Sequence, residues 1–211
     1  MIKPIALSTT LLLMAACGGG DTGAPETELS REGVDVSVEQ PASAAAWVID
    51  REASSIGFRA TQNDKEFEGT FGRWDASIAL DLEDPAAEGA LFARIDLASA
   101  DAGNTERNGS LPTKDWFYVA MFPVSEFSCD AITATGEGSY EAQGQLSIKG
   151  VTKDVVMPFT VTVDEAGRAV ADGSVMLDRS DFKIGEGEFA TGEWVGLEVE
   201  VLLHMEATPA S

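Results

Sequence analysis

From Trp47 onward, apolar residues recur at every second position. In GALFARIDLAS, Leu91, Ala93, Ile95 and Leu97 share one face, and Phe92, Arg94 and Asp96 share the other. WDASIALD aligns Trp74, Ala76, Ile78 and Leu80, and DVVMPFTVTVD aligns Val155, Met157, Phe159, Val161 and Val163. EWVGLEVEVLLHME sets Val195, Leu197, Val199, Val201, Leu203 and Met205 against Glu198, Glu200 and His204. This period-two alternation predicts half-buried strands. The runs are separated by turn-rich stretches such as EDPAAEG, ATGEGS and DEAGR. Many strands joined by short turns predict an all-β antiparallel sandwich or barrel, and closure into a barrel removes bare edges.

One segment breaks the rhythm. NTERNGSLPTKDWFYVAMFP is too long for a hairpin turn and rich in large apolar groups. It predicts a short helical excursion of one or two turns near residues 104–120, with Asn104 or Thr105 as cap of the first and Pro112 as opening of a second where there are two. Laid across a barrel end, it would bring Leu111, Trp116, Phe117, Tyr118 and Phe122 over the interior.

The N-terminus reads differently. In MIKPIALSTTLLLMAAC, Lys3 precedes an apolar run and two small residues lead into Cys17. This is the pattern of a bacterial export signal over residues 1–16. The run is shorter than the roughly 20 residues that a spanning helix needs. Ala15-Ala16-Cys17 resembles a lipobox, which implies lipidation at Cys17; an ordinary cleaved signal with an incidental cysteine is the alternative. Residues 17–45 are acidic and rich in Gly, Pro, Ser and Ala, without an apolar period. That composition predicts a flexible tether reaching roughly 30 Å, with VDVSV not adding a strand. The remaining chain divides into a domain over 46–207 and a tail over 208–211.

Charge and chemistry narrow the function. Fourteen basic and 36 acidic residues give a net charge of −22. Such a surface repels nucleic acid and anionic headgroups. The lone histidine, His204, falls on the polar face of its strand and has no partner for general-base or zinc chemistry in the sequence. Ser110 lacks a nucleophile elbow. GEGE lacks the lysine and strand–helix frame of a phosphate loop. Asp81, Glu83 and Asp84 lack calcium-loop spacing. Cys129 reads as a small buried hydrophobe, with a redox sensor as the alternative. No catalytic residue, metal site or cofactor is expected, apart from a bound lipid.

Several segments together resemble one family. They are FEGTFGRWDASIALD, then IDLASADAGNTERNGSLPTKDWFYVAMFPVSEF, then GQLSIKGVTKDVVMPF and LDRSDFKIGEGE, in that order. The resemblance is to the YceI-like polyisoprenoid-binding proteins, over about residues 46–207. It implies a lipocalin-like antiparallel β-barrel of about eight strands, a periplasmic setting and a long-chain isoprenoid or quinone-like lipid inside. Two departures stand out. The stretch FRATQNDKEF has no histidine where family members often carry one, and an Arg-Asp pair is Arg107-Asn108 here.

On this reading Phe58, Phe71, Trp74, Trp116, Phe117, Phe122, Phe127 and Phe159, with Leu111, are the ligand-binding wall. Phe92 and Trp194 are further large wall candidates. Ala76, Ala93, Ala131 and Gly144 leave space, and Arg107, matching a family arginine, supplies a polar contact at the mouth. The expected function is a non-enzymatic, lipid-anchored envelope protein that carries an isoprenoid, with an outer-membrane anchor because Gly18 follows Cys17. The rival is a solid-cored module docking on a membrane partner such as a b561-type cytochrome. Homodimerisation is left open.

Overall fold

The computed structural model describes residues 33–210. The export signal, Cys17 and the first part of the linker lie outside them. The strands are β1 (Ala46–Gln62), β2 (Lys65–Phe71), β3 (Trp74–Leu80), β4 (Gly89–Asp96), β5 (Ala100–Asp101), β6 (Val124–Gly136), β7 (Ser139–Ile148), β8 (Val151–Val163), β9 (Ala169–Asp178) and β10 (Glu198–Pro209). One helix, α1 (Thr105–Ser110), precedes β6.

These ten strands form eight staves. β1 pairs with β2 through its second half and with β3 at Ala46 and Trp47, so β2 and β3 are two parts of one stave. β4 and β5 make another, bent at the 3₁₀ turn Leu97–Ser99; β4 pairs with β3 and β5 with β2. The walls then run β4, β6, β7, β8, β9, β10, and β10 returns to β1, all antiparallel. The sheet closes on itself and leaves no long bare edge, as the alternation predicts.

Local chemistry sets the turns. Lys149 and Gly150, between β7 and β8, both have positive φ (50° and 72°). Asn63 and Asp64 do the same between β1 and β2 (50° and 61°). Two positive-φ residues give the backbone twist that a two-residue hairpin loop requires. Among the described residues, Phe182, Ile132 and Asp96 are the largest side chains under 2 % exposed.

The expected helical excursion is present as one short helix. Asn104 caps α1, its side chain accepting from the Glu106 and Arg107 amides at 2.9 and 3.1 Å. No second helix opens at Pro112. Instead, residues 111–123 form a run of tight turns, with Tyr118 at φ 51° and its amide donating to the Thr113 carbonyl at 2.8 Å. A left-handed residue cannot sit inside a helix.

The last part of the linker, from Gly33 on, is pinned to the barrel wall where a free tether was expected. The Val34 amide donates to Asp96 at 3.2 Å and the Val38 amide to Asp75 at 2.9 Å. Gln40 Nε2 donates to the Ala76 carbonyl at 3.1 Å. Asp96 also accepts from Arg73 and from the Ala98 amide, and Arg51 pairs with Asp75. Both carboxylates are buried, and buried carboxylates need donors, which the extended segment supplies. The segment adds no strand, as expected.

Candidate functional site

The inward face of the barrel encloses two apolar chambers stacked along its axis. The lower has a volume of about 150 Å³, and Ser77 is its one polar lining residue. The upper has a volume of about 210 Å³ and adds polar groups: Gln62, Glu106, Arg107, Ser110 and Arg179 toward its far end, and Ser125 beside Ile95. Ile56, Ile95, Leu146 and Val201 line both, so they form the waist between them. The result is an elongated interior with one dry end and one end carrying polar groups.

The dry end is closed by strand-borne aromatics. Trp47 Nε1 donates to the Leu80 carbonyl at 2.9 Å and the Tyr140 hydroxyl donates to the Leu82 carbonyl at 3.2 Å. Tyr140 stacks on Phe159 with ring centroids 5.4 Å apart. These bonds satisfy the polar atoms of large rings that would otherwise be costly to bury.

Two loops cover the other end. Residues 111–123 form one, and residues 179–197 the other. The Gly185 and Glu186 amides both donate to the Asp115 carbonyl, at 2.7 and 2.9 Å, and Trp116 packs on Phe189 at 5.2 Å. Arg179, 3 % exposed, organises the second loop. Its Nε donates to Gly196, Nη1 to Ile184 and Gly185, and Nη2 to Phe189 and Val195, all carbonyls at 2.5–3.0 Å. All five guanidinium donors are thereby engaged. Burial pushes the Arg179 pKa down, partly offset by the Asp178 carboxylate. Gly185 lets the guanidinium approach, since a Cβ there would fall 2.0 Å from Nη1 and its φ is 74°.

Lys149 joins the β7–β8 turn to this lid, its ammonium donating to the Lys183 carbonyl at 2.5 Å and to Glu186 at 2.9 Å. That hydrogen bond holds the Glu186 carboxyl below the usual carboxylate range. Because the folded pKa is depressed, the stabilisation is fully present above the ordinary carboxylate value and is lost as pH falls through the lowered one. Lys149→Met is expected to raise the Glu186 pKa toward that ordinary value, read by carbon-13 NMR titration of the carboxyl.

Of the ten binding residues expected from sequence, nine in the wall and Arg107 at the mouth, six line the upper chamber: Phe58, Phe71, Arg107, Leu111, Trp116 and Phe117. Phe127 and Phe159 line the lower. Two do not line either. Trp74 is inward in phase but sits where the β2–β3 stave bends, packed among Ile56, Ala76, Ile95 and Met205 with the Arg51 guanidinium 5.5 Å from its ring. Phe122 lies on the outer side of its loop, against Gly150 and 6.0 Å from the Tyr118 ring. Trp194, a wall candidate, is 52 % exposed on the lid, where it precedes β10 on the parity of Glu198 while Val195 is buried. Among the spacers, Ala76 and Ala93 line the lower chamber, and Gly144 lets Phe127 pass.

Phe67, Phe182 and Phe189 line the upper chamber without having been singled out. Phe67 alternates correctly and was legible; the other two sit in the 179–197 loop, where no strand alternation marks an inward side. Arg107 does reach the upper chamber. It donates to Gln62 Oε1 at 3.1 Å and twice to the Ala102 carbonyl, and lies 4.1 Å over the Phe67 ring. Its neighbour explains the Arg-Asn pair. Asn108 Oδ1 accepts from the Ala102 amide at 2.7 Å while Nδ2 donates to Asp101 at 2.8 Å. Asn108→Asp would set two carboxylates together, and we expect a loss of about 1–2 kcal/mol in urea unfolding, relieved at acid pH.

His204 stands on the outer face, as its parity requires, with Nδ1 2.7 Å from Asp172. Cys129 is buried on β6 and its thiol pKa is pushed up by that burial, the direction opposite to a reactive thiolate.

Comparison with known proteins agrees with this architecture. The model of the YceI-like domain matches residues 47–207. A UPF0312 protein of Pseudomonas syringae pv. tomato is 31% identical over 166 residues, covering 75% of this chain and 85% of its own. Burkholderia cenocepacia BcnA superposes with a TM-score of 0.73 at 30% identity, covering 76% of this chain and all (100%) of its own. A polyisoprenoid binding domain from Saccharophagus degradans superposes with a TM-score of 0.62 at 16% identity, over 80% of this chain and 100% of its own, a likeness of fold. On its fold, its motif order and this match over most of its length, the chain belongs to the YceI-like domain family.

Proposed function

We propose that this domain binds one long isoprenoid-type lipid, its chain threaded through both chambers, and carries it in the bacterial envelope without chemically changing it. The observation that carries this reading is the pair of stacked apolar chambers sharing a waist, an elongated shape that suits a chain better than a compact ligand. Each buried methylene contributes about 0.8 kcal/mol, so a chain of tens of carbons binds without any polar contact. The polyisoprenoid-binding neighbour supports the same ligand class. The sequence pattern at Ala15-Ala16-Cys17 supports a lipid anchor on Cys17 and a periplasmic location, with Gly18 favouring the outer membrane.

The test is organic extraction of the domain purified from its native host, followed by mass spectrometry. A retained apolar isoprenoid is the expected result. Repeated extraction that yields none, together with no uptake of added prenols or prenylquinones, overturns the reading and leaves a ligand-free docking module.

A further inference from the structure

Among the described residues, one buried side-chain polar atom has no protein hydrogen-bond partner, and it belongs to the upper chamber. That atom is Trp116 Nε1. Trp116 lines the chamber at its polar end, held by Phe189 on one side and with the Arg179 guanidinium 5.5 Å from its ring. A buried N–H without an acceptor is unfavourable, and native structures rarely leave one. The indole at the dry end, Trp47, shows the contrast, since its N–H is satisfied by a backbone carbonyl.

Most of the surrounding polar groups are already engaged by the protein. Arg179 has engaged all five donors with backbone carbonyls. Ser125 donates to the Ser147 carbonyl at 3.0 Å and Ser110 to the Glu106 carbonyl at 3.1 Å. Arg107 spends three of its five N–H groups on the Ala102 carbonyl and Gln62 Oε1 and lies over the Phe67 ring, and the Glu106 carboxylate shares the lining. A phosphate or diphosphate head needs several free donors and positive charge. The chamber offers Trp116 Nε1 as its one fully buried donor without a protein partner, with a carboxylate in the same lining.

We propose that Trp116 Nε1 is the headgroup contact of the bound lipid, donating to a neutral carbonyl oxygen of the kind a prenylquinone carries, so that the barrel selects neutral, acceptor-bearing isoprenoids over phosphorylated ones. This deepens the lipid-binding reading and rests on it. It also fixes orientation: the head lies under the lid beside Trp116, and the tail runs through the waist toward Trp47 and Tyr140.

The test uses three probes of equal isoprenoid length: a prenylquinone, the plain hydrocarbon and the prenyl monophosphate. Wild-type protein is expected to bind the quinone about five-fold or more tighter than the hydrocarbon, the size of one buried hydrogen bond. The phosphate is expected to bind no tighter than the hydrocarbon. Trp116→Phe keeps a ring and removes the donor, so it is expected to bring quinone affinity to the hydrocarbon level and leave the hydrocarbon unchanged. In the wild type, the nitrogen-15 indole resonance missing from the W116F spectrum is expected to move downfield on adding quinone and to stay put on adding hydrocarbon. An unmoved indole resonance, an unchanged quinone preference in W116F, or preferred binding of the phosphate overturns this proposal while leaving the barrel a lipid carrier. Wild-type protein that takes up none of the three overturns both.

Discussion

Arg179→Met is expected to lower unfolding free energy by about 3–5 kcal/mol, among the largest losses any single change in this domain should produce. The reason lies in what the guanidinium leaves behind. Five carbonyls, from Ile184, Gly185, Phe189, Val195 and Gly196, converge on it from three stretches of the lid loop. Methionine fills a similar volume and donates nothing, so buried acceptors lose their partner and the loop loses its centre. Arg179→Lys retains charge but has three donors and no planar fork, and should fall between the two. Urea unfolding followed by near-ultraviolet circular dichroism reads both stability and the packing of Trp116 on Phe189. A loss below about 1 kcal/mol for Arg179→Met would show that the lid is held by its apolar contacts instead. Marginal total stability, about 5–15 kcal/mol for a domain, makes the expected loss easy to see.

What the sequence revealed of this architecture follows from how each residue is constrained. On the staves, burial alternates because the pleat forces it, and Leu91, Ile95, Met157 and Leu203 all face the interior as the period-two reading predicts. Closure was legible too, because an isolated sheet with no long bare edge must curl. Departures begin where pleat geometry stops. Phe182 ends the short 3₁₀ turn Arg179–Phe182, whose next residue, Lys183, is left-handed, and no local pattern marks such a residue as buried. Arg179 reads as a turn cation, and its five acceptors lie 5 to 17 positions further on. Trp194, taken as a wall candidate for its size alone, precedes β10. There its carbonyl accepts from the Asn63 amide at 3.0 Å and its ring faces solvent. The docked linker was illegible for a similar reason: polar composition reports nothing of the buried acceptors, Asp75 and Asp96, that wait on the wall. The unpaired indole of Trp116 belongs to the same class. Sequence placed the ring over the interior, but only the geometry of both loops shows that no protein acceptor meets its N–H.

The largest effect on binding should come from the dry end, far from any polar contact. Ala171 on β9 lines the lower chamber between Val161 of β8 and Met205 of β10. Ala171→Phe points a phenyl ring into a space of about 150 Å³ and takes up much of it. A tail that enters from the lid must then stop near the waist formed by Ile56, Ile95, Leu146 and Val201. Excluding even one isoprene unit forfeits roughly 3 kcal/mol of burial, more than 100-fold in Kd. We therefore expect a long prenylquinone to lose at least that much affinity in Ala171→Phe, while an analogue with two isoprene units, short enough for the upper chamber, changes by less than about three-fold. Thermal unfolding controls for overpacking, which costs about 1–3 kcal/mol when the added ring is poorly accommodated. Equal losses for long and short ligands would mean that the substitution distorts the barrel. No loss for either would mean that the chain never reaches the lower chamber, and that the interior below the waist is core whose side chains simply leave a gap. The length-dependence of the loss, more than its size, is what separates a tail channel from a packing defect.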